Sequence, residues 1–200
     1  HAIINIIEPI FERRFIHDSY ASRKNKGVHA GLTRFDKFKR SVTYNGKLLN
    51  VAKDSNMTTG YILKADIKHY FDTIDLEILM KIIRRKITDV KVLQLIKIIL
   101  DNHNFKIKGK GMPLGNLTSQ FFANLYLNEL DYYIKHVLKA KYYMRYVDDF
   151  VILHDSRKKL LLYKWLIEHF LKERLKLELH PDKTKIVSLH NGIGLLGFKI

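Results

Sequence analysis

Residues 143–153 read YMRYVDDFVIL, an apolar run with two adjacent carboxylates in its middle. Tyr146, Val147, Phe150, Val151, Ile152 and Leu153 belong inside a protein, and Asp148 and Asp149 do not. Neighbouring like charges repel, and burying either one without a partner is costly. The flanking segments KYYMRYV (141–147) and FVILH (150–154) have strand composition, which predicts a hairpin with the carboxylates at its turn. A third acid has a similar setting: YILKADIKHYFD (61–72) predicts a strand ending at Asp66, where apolar residues give way to polar ones. A strand end and a hairpin turn can be neighbours in one sheet. Three converging carboxylates would then find relief in divalent cations, and hard oxygen ligands without His or Cys suit Mg²⁺. Two such ions about 3.5–4 Å apart can activate a primer 3′-hydroxyl and stabilise a departing pyrophosphate. The competing reading is a solvated Asp-Asp turn beside an ordinary strand end.

Bulk composition narrows the partners. Two hundred residues suit one domain or slightly more, and 46% hydrophobic residues can fill a core. With 36 Lys plus Arg against 20 Asp plus Glu, the formal charge is +16. A polyanion is the expected partner, nucleic acid first and a membrane surface second. No apolar run approaches the roughly 18 residues of a spanning helix, and no signal peptide is visible. The absence of cysteine excludes disulfides and thiolate metal sites and fits a cytoplasmic location. The chain begins with His1 and ends on LLGFKI, which reads as a strand, so a fragment of a larger protein is expected.

Along the chain, Pro9 suits the first turn of a short helix, EPIFERRF, followed by the loop DSYASRKNKGVH (18–29). A helix is predicted from about Ala30 to Arg40, with Leu32, Phe35 and either Phe38 or Lys39 inward. TYNGKLLNVAKDSNMTTG (43–60) is turn-rich and weakly patterned. DLEILMKIIRRKI places Leu76, Leu79, Ile82 and Ile83 at helical spacing. Thr88 or Asp89 can cap the next helix, and Ser156 a long one from Arg157 to about Leu175. Residues 108–116 form a glycine-containing loop, and Leu117 to His136 are helical. KLELH and TKIVSLH predict short strands interrupted by Pro181, and Asn191-Gly192 predicts a hairpin into IGLLGFKI. The element order implies an α+β fold with helices on one face of an antiparallel sheet.

These segments together resemble the motifs of reverse transcriptases, in that family's order. YVDD in a hairpin follows the strand motif LKADIKHYFDTID; GMPLGNLTSQFFANLYLNELD resembles the glycine loop and its helix; LELHPDKTKIV and GLLGFKI resemble the lysine and primer-grip motifs. IFERRFIHDSYASRKNKGVHAGL resembles the fingers of bacterial members. The resemblance implies a right-hand polymerase palm with partial fingers and no thumb. Residues 1–60 would belong to the fingers and 61–200 to the palm, with fingers helices interleaved at about 75–115.

It also implies roles. Asp66, Asp148, Asp149 and the Ile67 carbonyl would hold two Mg²⁺ ions, with Mn²⁺ as substitute. Phe71 would pack beneath the incoming sugar and exclude a 2′-hydroxyl, where a core Phe beside Tyr70 is the alternative. Gly115 lets backbone approach the nascent base pair, and Leu114, Ser119 and Gln120 lie beside it. Lys183, or alternatively Lys185, would protonate the leaving pyrophosphate. Arg23, Lys24 and Lys26 would hold template phosphates or the dNTP tail, a solvated loop being the alternative. The partners implied are an RNA template, a DNA or RNA primer and dNTPs, with no membrane. The segment LGNLTSQ (114–120) resembles the enzymes of diversity-generating retroelements, which copy RNA with errors at adenine and act with a small basic accessory protein. A group II intron-like reverse transcriptase is the runner-up. A catalytically silent basic RNA-binding module shares the charge and element pattern, but does not need three carboxylates and an aromatic at 71.

Overall fold

The computed structural model describes residues 2–102, 107–113 and 117–199. Its centre is a four-stranded antiparallel sheet. In chain order the strands are β3 (Tyr61–Ala65), β4 (Tyr142–Tyr146), β5 (Asp149–His154) and β6 (Lys185–Ser188), and across the sheet they run β4-β5-β3-β6. Asp149 pairs with Tyr146 across the β4–β5 turn, and Ala65 pairs with Phe150. Register therefore brings the end of β3 and the start of β5, the two central strands, to the same end of the sheet.

Both faces of this sheet are covered, not one. On the first face Leu63, Ala65, Tyr143, Phe150 and Ile152 join the large core. There α4 (Leu76–Arg84), α6 (Leu117–Tyr132) and α7 (Arg157–Phe170) bury Leu79, Phe122, Leu160 and Ile167. On the second face Ile62, Met144, Val151 and Leu153 pack with Phe35, Phe38 and Val42 of α2 (Val28–Val42). The unbroken apolar run of β5 explains this: successive residues point to opposite faces, so a strand without alternation needs cover on both.

Helix starts follow their capping residues. The Asp75 carboxylate accepts from the Glu77 and Ile78 N–H groups, and Asp89 does the same for Lys91 and Val92 at the start of α5 (Val90–Asp101). Ser156 accepts from the Lys159 N–H and starts α7. Wider π turns continue α6 through Tyr133–Val137 and α7 through Leu171–Leu175. The first helix, α1 (Ala2–Glu12), begins earlier than expected because Ile4, Ile7 and Phe11 form its buried stripe. Pro9 is consequently inside it rather than in its first turn, and Asn5, whose carbonyl loses its donor, is exposed to water.

One weakly patterned segment proves to hold strands, and two local expectations are corrected. Residues 43–60 contain a hairpin of β1 (Leu48–Lys53) and β2 (Asn56–Thr58), turned by Asp54 and Ser55, both at positive φ. β1 lies almost wholly exposed, so its sequence never had to alternate. KLELH is not a strand but makes a single bridge, Ile67 with Leu179. The final hairpin, β7 (Gly194–Leu195) with β8 (Phe198–Lys199), turns at Leu196-Gly197, both at positive φ. Asn191 instead ends a short 3₁₀ turn.

The loop after α5 is described from Ile107 to Pro113, and Gly111 docks it onto Phe71 and Asp72. Its N–H donates to the Ile74 carbonyl, and the Met112 N–H donates to the Phe71 carbonyl, both at 2.8 Å. Gly111 has φ +96°, and a Cβ there would lie 3.2 Å from the Asp72 carbonyl oxygen and 3.3 Å from that of Phe71. Gly111→Ala is therefore expected to destabilise the fold by about 1–3 kcal/mol, read as a lower urea midpoint at unchanged slope.

Candidate active site

Asp66 follows β3, Asp148 occupies the β4–β5 turn and Asp149 opens β5. Asp66 is 8% exposed. Its carbonyl accepts from the His180 N–H at 2.8 Å, which ties the 176–180 segment to the strand end. Burial raises the Asp148 carboxyl above its ordinary value, and the charges of Asp66 and Asp149 push it further. Asp149 is also raised, by burial first and then by Asp66, with the Lys64 ammonium partly offsetting both. The three acids thus share one electrostatic site. They do not by themselves form a cage: among the described residues no group of three or more His, Cys, Asp or Glu could hold a metal ion. Mg²⁺ commonly takes one or two carboxylates and completes its shell with water and substrate phosphate, so this donor set fits that ion without a ready-made cage.

A cation already stands at the site. The Lys183 ammonium donates to Asp66 Oδ2 at 3.1 Å. That hydrogen bond, with the Asp66 charge, raises Lys183 above the ordinary lysine value, so it stays protonated. Lys185 is instead placed across from Lys64 in the β6–β3 register. Of the two lysines considered, the structure brings Lys183 to the carboxylates.

Phe71 is half-buried and meets Tyr70 edge-on, with ring centroids 5.5 Å apart. Tyr70 is buried and donates to the Ala123 carbonyl at 2.6 Å. Burial pushes its phenol far up, and the Asp148 charge adds to this. Ser119 is buried near the start of α6. Gln120 Oε1 accepts from the Ser22 hydroxyl at 2.8 Å and so links α6 to the 13–27 loop. Leu114 and Gly115 lie outside the described residues.

The basic loop divides in two. Lys24 is exposed. Arg23 is committed to the fold: its side chain is 7% exposed, Nε donates to Glu12 and Nη1 to the Ile16 and Ser19 carbonyls. The Lys26 ammonium donates to the His17 carbonyl and lies over the Tyr20 ring. Arg23 and Lys26 thus hold the loop's shape, whereas Lys24 points to solvent.

Two networks around the site were not anticipated. Asp18 is buried, and burial raises its carboxyl, but Arg34, His17 and Tyr20 more than offset this and leave it lowered. Its carbonyl accepts from the Arg145 N–H, and the Tyr20 N–H donates to the Arg145 carbonyl, so the loop clips onto β4. Beneath the turn, Arg145 and Asp131 are fully buried and paired through two hydrogen bonds of 2.8 and 2.6 Å. Tyr143 donates to the same carboxylate. Arg145 Nη1 donates to Asn124 Oδ1 and, at 2.7 Å, to the Val147 carbonyl in the acidic turn. Burial works against the Arg145 charge, yet Asp131 holds the guanidinium above its ordinary value. A sequence signal did exist for one of the pair: Arg145 is the single charge in β4, whereas Asp131 follows Glu129 in α6 and carries no such mark.

The sequence as a whole decides the family. The model of the family "Reverse transcriptase (RNA-dependent DNA polymerase)" matches residues 1–200. The chain belongs to the reverse transcriptase family. Protein YkfC of Escherichia coli is 28% identical over the whole chain, which spans 59% of that relative. The group II intron-encoded protein LtrA of Lactococcus lactis is 25% identical, again over the whole chain and 42% of its own length. The chain thus spans about half the length of these relatives. Among solved structures, apo telomerase from Candida tropicalis superimposes with a TM-score of 0.72 at 15% identity, covering 100% of this chain and 39% of that one. This reverse transcriptase-like chain is therefore a distant relative of group II intron-encoded proteins with a palm-like α+β fold. Among the described residues no helix is long and apolar enough to cross a membrane.

Proposed function

We propose that the protein is an RNA-directed DNA polymerase that extends a primer by two-metal nucleotidyl transfer. The observation that supports this reading is the shared carboxylate site, where Asp148 and Asp149 are raised by burial and by Asp66, with the Lys183 ammonium on Asp66. Asp66, Asp148, Asp149 and the Ile67 carbonyl would hold two Mg²⁺ ions, or Mn²⁺ in their place. When bound, they supply activation of the primer hydroxyl and stabilisation of the departing charge. Lys183 keeps a proton next to the site, positioned for the leaving pyrophosphate. In this reading residues 61–200 act as palm, residues 1–60 as fingers, and Lys24 as a phosphate contact.

Phe71 excludes a 2′-hydroxyl by its bulk. Extension of a primer on an RNA template, with dNTPs and then NTPs, tests the assignment in the full-length protein. Phe71→Val is expected to admit ribonucleotides with little loss of dNTP use. Equal use of both by the unaltered enzyme would remove the steric gate.

A finer assignment rests on sequence. The curated relatives named above include a group II intron-encoded protein, which favours that class. LGNLTSQ at 114–120 favours a diversity-generating retroelement enzyme, with its template RNA and small basic accessory protein. Leucine at 114 offers shape but no hydrogen bond to the nucleotide. Leu114→Gln is then expected to lower misincorporation opposite adenine several-fold. An unchanged error spectrum in sequenced products would favour the intron class.

A further inference from the structure

We infer that the open groove between α1, α4 and α6 is a second binding surface, for a single-stranded polynucleotide. The groove has a volume of about 660 Å³, and none of the carboxylate-site residues lines it. Its floor is apolar, formed by the buried side chains of Phe11, Ile82 and Leu125. Its rim is cationic. Arg13, Arg14 and Lys86 are exposed there, and none forms an ion pair with a carboxylate among the described residues. The one rim carboxylate, Glu129, is taken by Arg85 at 2.8 Å. Unpaired cations around one opening repel one another, and a chain of phosphates would relieve that repulsion.

A further feature points to unpaired bases rather than to a smooth polyanion. Tyr132 is 61% exposed at the groove, and the His136 ring lies 4.6 Å from it in a tilted stack. Exposed rings beside cations are the elements on which single strands stack. The surface is therefore expected to bind strand in a largely sequence-neutral way. It does not depend on the polymerase reading, because binding is measured apart from extension.

The test is fluorescence anisotropy of a short labelled oligouridylate over a salt series, with the full-length protein. Arg13→Glu, Arg14→Glu and Lys86→Glu together should weaken binding tenfold or more. They should also reduce the slope of log K against log salt by about 2, since each single-strand phosphate contact contributes roughly 0.7. Lys158→Glu, Lys172→Glu and Arg174→Glu, exposed around α7, make the same change in net charge and should leave the slope nearly unchanged. Tyr132→Ala should cost about tenfold in affinity with the slope intact, as loss of one stacked base predicts. All seven side chains are exposed, so thermal melting should match the unaltered protein. If the two charge-reversal triples behave alike, or Tyr132→Ala binds normally, the groove is not a site and the charge acts only as diffuse attraction.

Discussion

Asp148→Asn is expected to abolish primer extension and, in the same protein without added metal, to raise the melting temperature. Both outcomes follow from one placement. Burial and the neighbouring Asp66 and Asp149 charges raise the Asp148 carboxyl in the folded chain. The folded state therefore disfavours the ionised form, and the group costs stability once pH has risen through its raised value. Below its ordinary unfolded value the cost is absent. A neutral amide of the same shape removes the cost at neutral pH, so the variant should melt higher and depend less on pH just above the ordinary carboxylate range. In the two-metal reading proposed above, the same change removes a hard anionic ligand and should reduce turnover roughly a thousandfold, about 4 kcal/mol of transition-state stabilisation. Adding Mg²⁺ should then stabilise the unaltered protein more than the variant. Extension retained near the original rate would remove the two-metal reading, and an unchanged melting point would show that the repulsion is already relieved by solvent.

Much of this site was legible because its chemistry conflicts with its surroundings. Asp148 and Asp149 interrupt an apolar hairpin, and Asp66 ends an apolar strand, so pattern alone put all three at element ends. Asp89, with Thr88 as the alternative, and Ser156 were legible as caps from local residue type, and the structure uses Asp89 and Ser156. What escaped depends on contacts distant in sequence. Arg23 reads as a free cation, yet its partners are Glu12 and two carbonyls, and only the folded loop buries it. Gly192 follows Asn191 and carries a strong turn signature, but the final turn is made at Leu196-Gly197, where pairing of Leu195 with Phe198 fixes it. Leucine at φ 52° carries no local signal at all. The β1–β2 hairpin escaped because it borders solvent and so has no apolar face to betray it.

The buried pair beneath the turn gives the other large effect. Removing Arg145 leaves the Asp131 charge fully buried without its counterion, so Arg145→Met is expected to cost about 3–5 kcal/mol. Restoring balance by a second replacement, Asp131→Leu, should recover part of that loss, because two apolar side chains can stand in for a buried ion pair, while the buried Tyr143 hydroxyl and Asn124 Oδ1 lose these partners. Stability is only part of what Arg145 does. Val147 sits at φ +54°, a conformation that a β-branched residue resists, and its carbonyl accepts from Arg145 Nη1 at 2.7 Å. That bond holds the turn in the shape that presents Asp148 and starts β5 at Asp149. The double variant lacks the donor, so Val147 is free to relax towards negative φ and carry Asp148 with it. Arg145 is thus a positioning residue, and stability and turnover should separate: the double variant should melt well above Arg145→Met yet extend primers at least tenfold more slowly than the unaltered protein, in kcat rather than KM. Arg145→Lys in place of the double change keeps a donor and a charge, and should retain more turnover than stability alone predicts. If the double variant recovers both stability and extension together, the ion pair serves only the core and the turn holds itself.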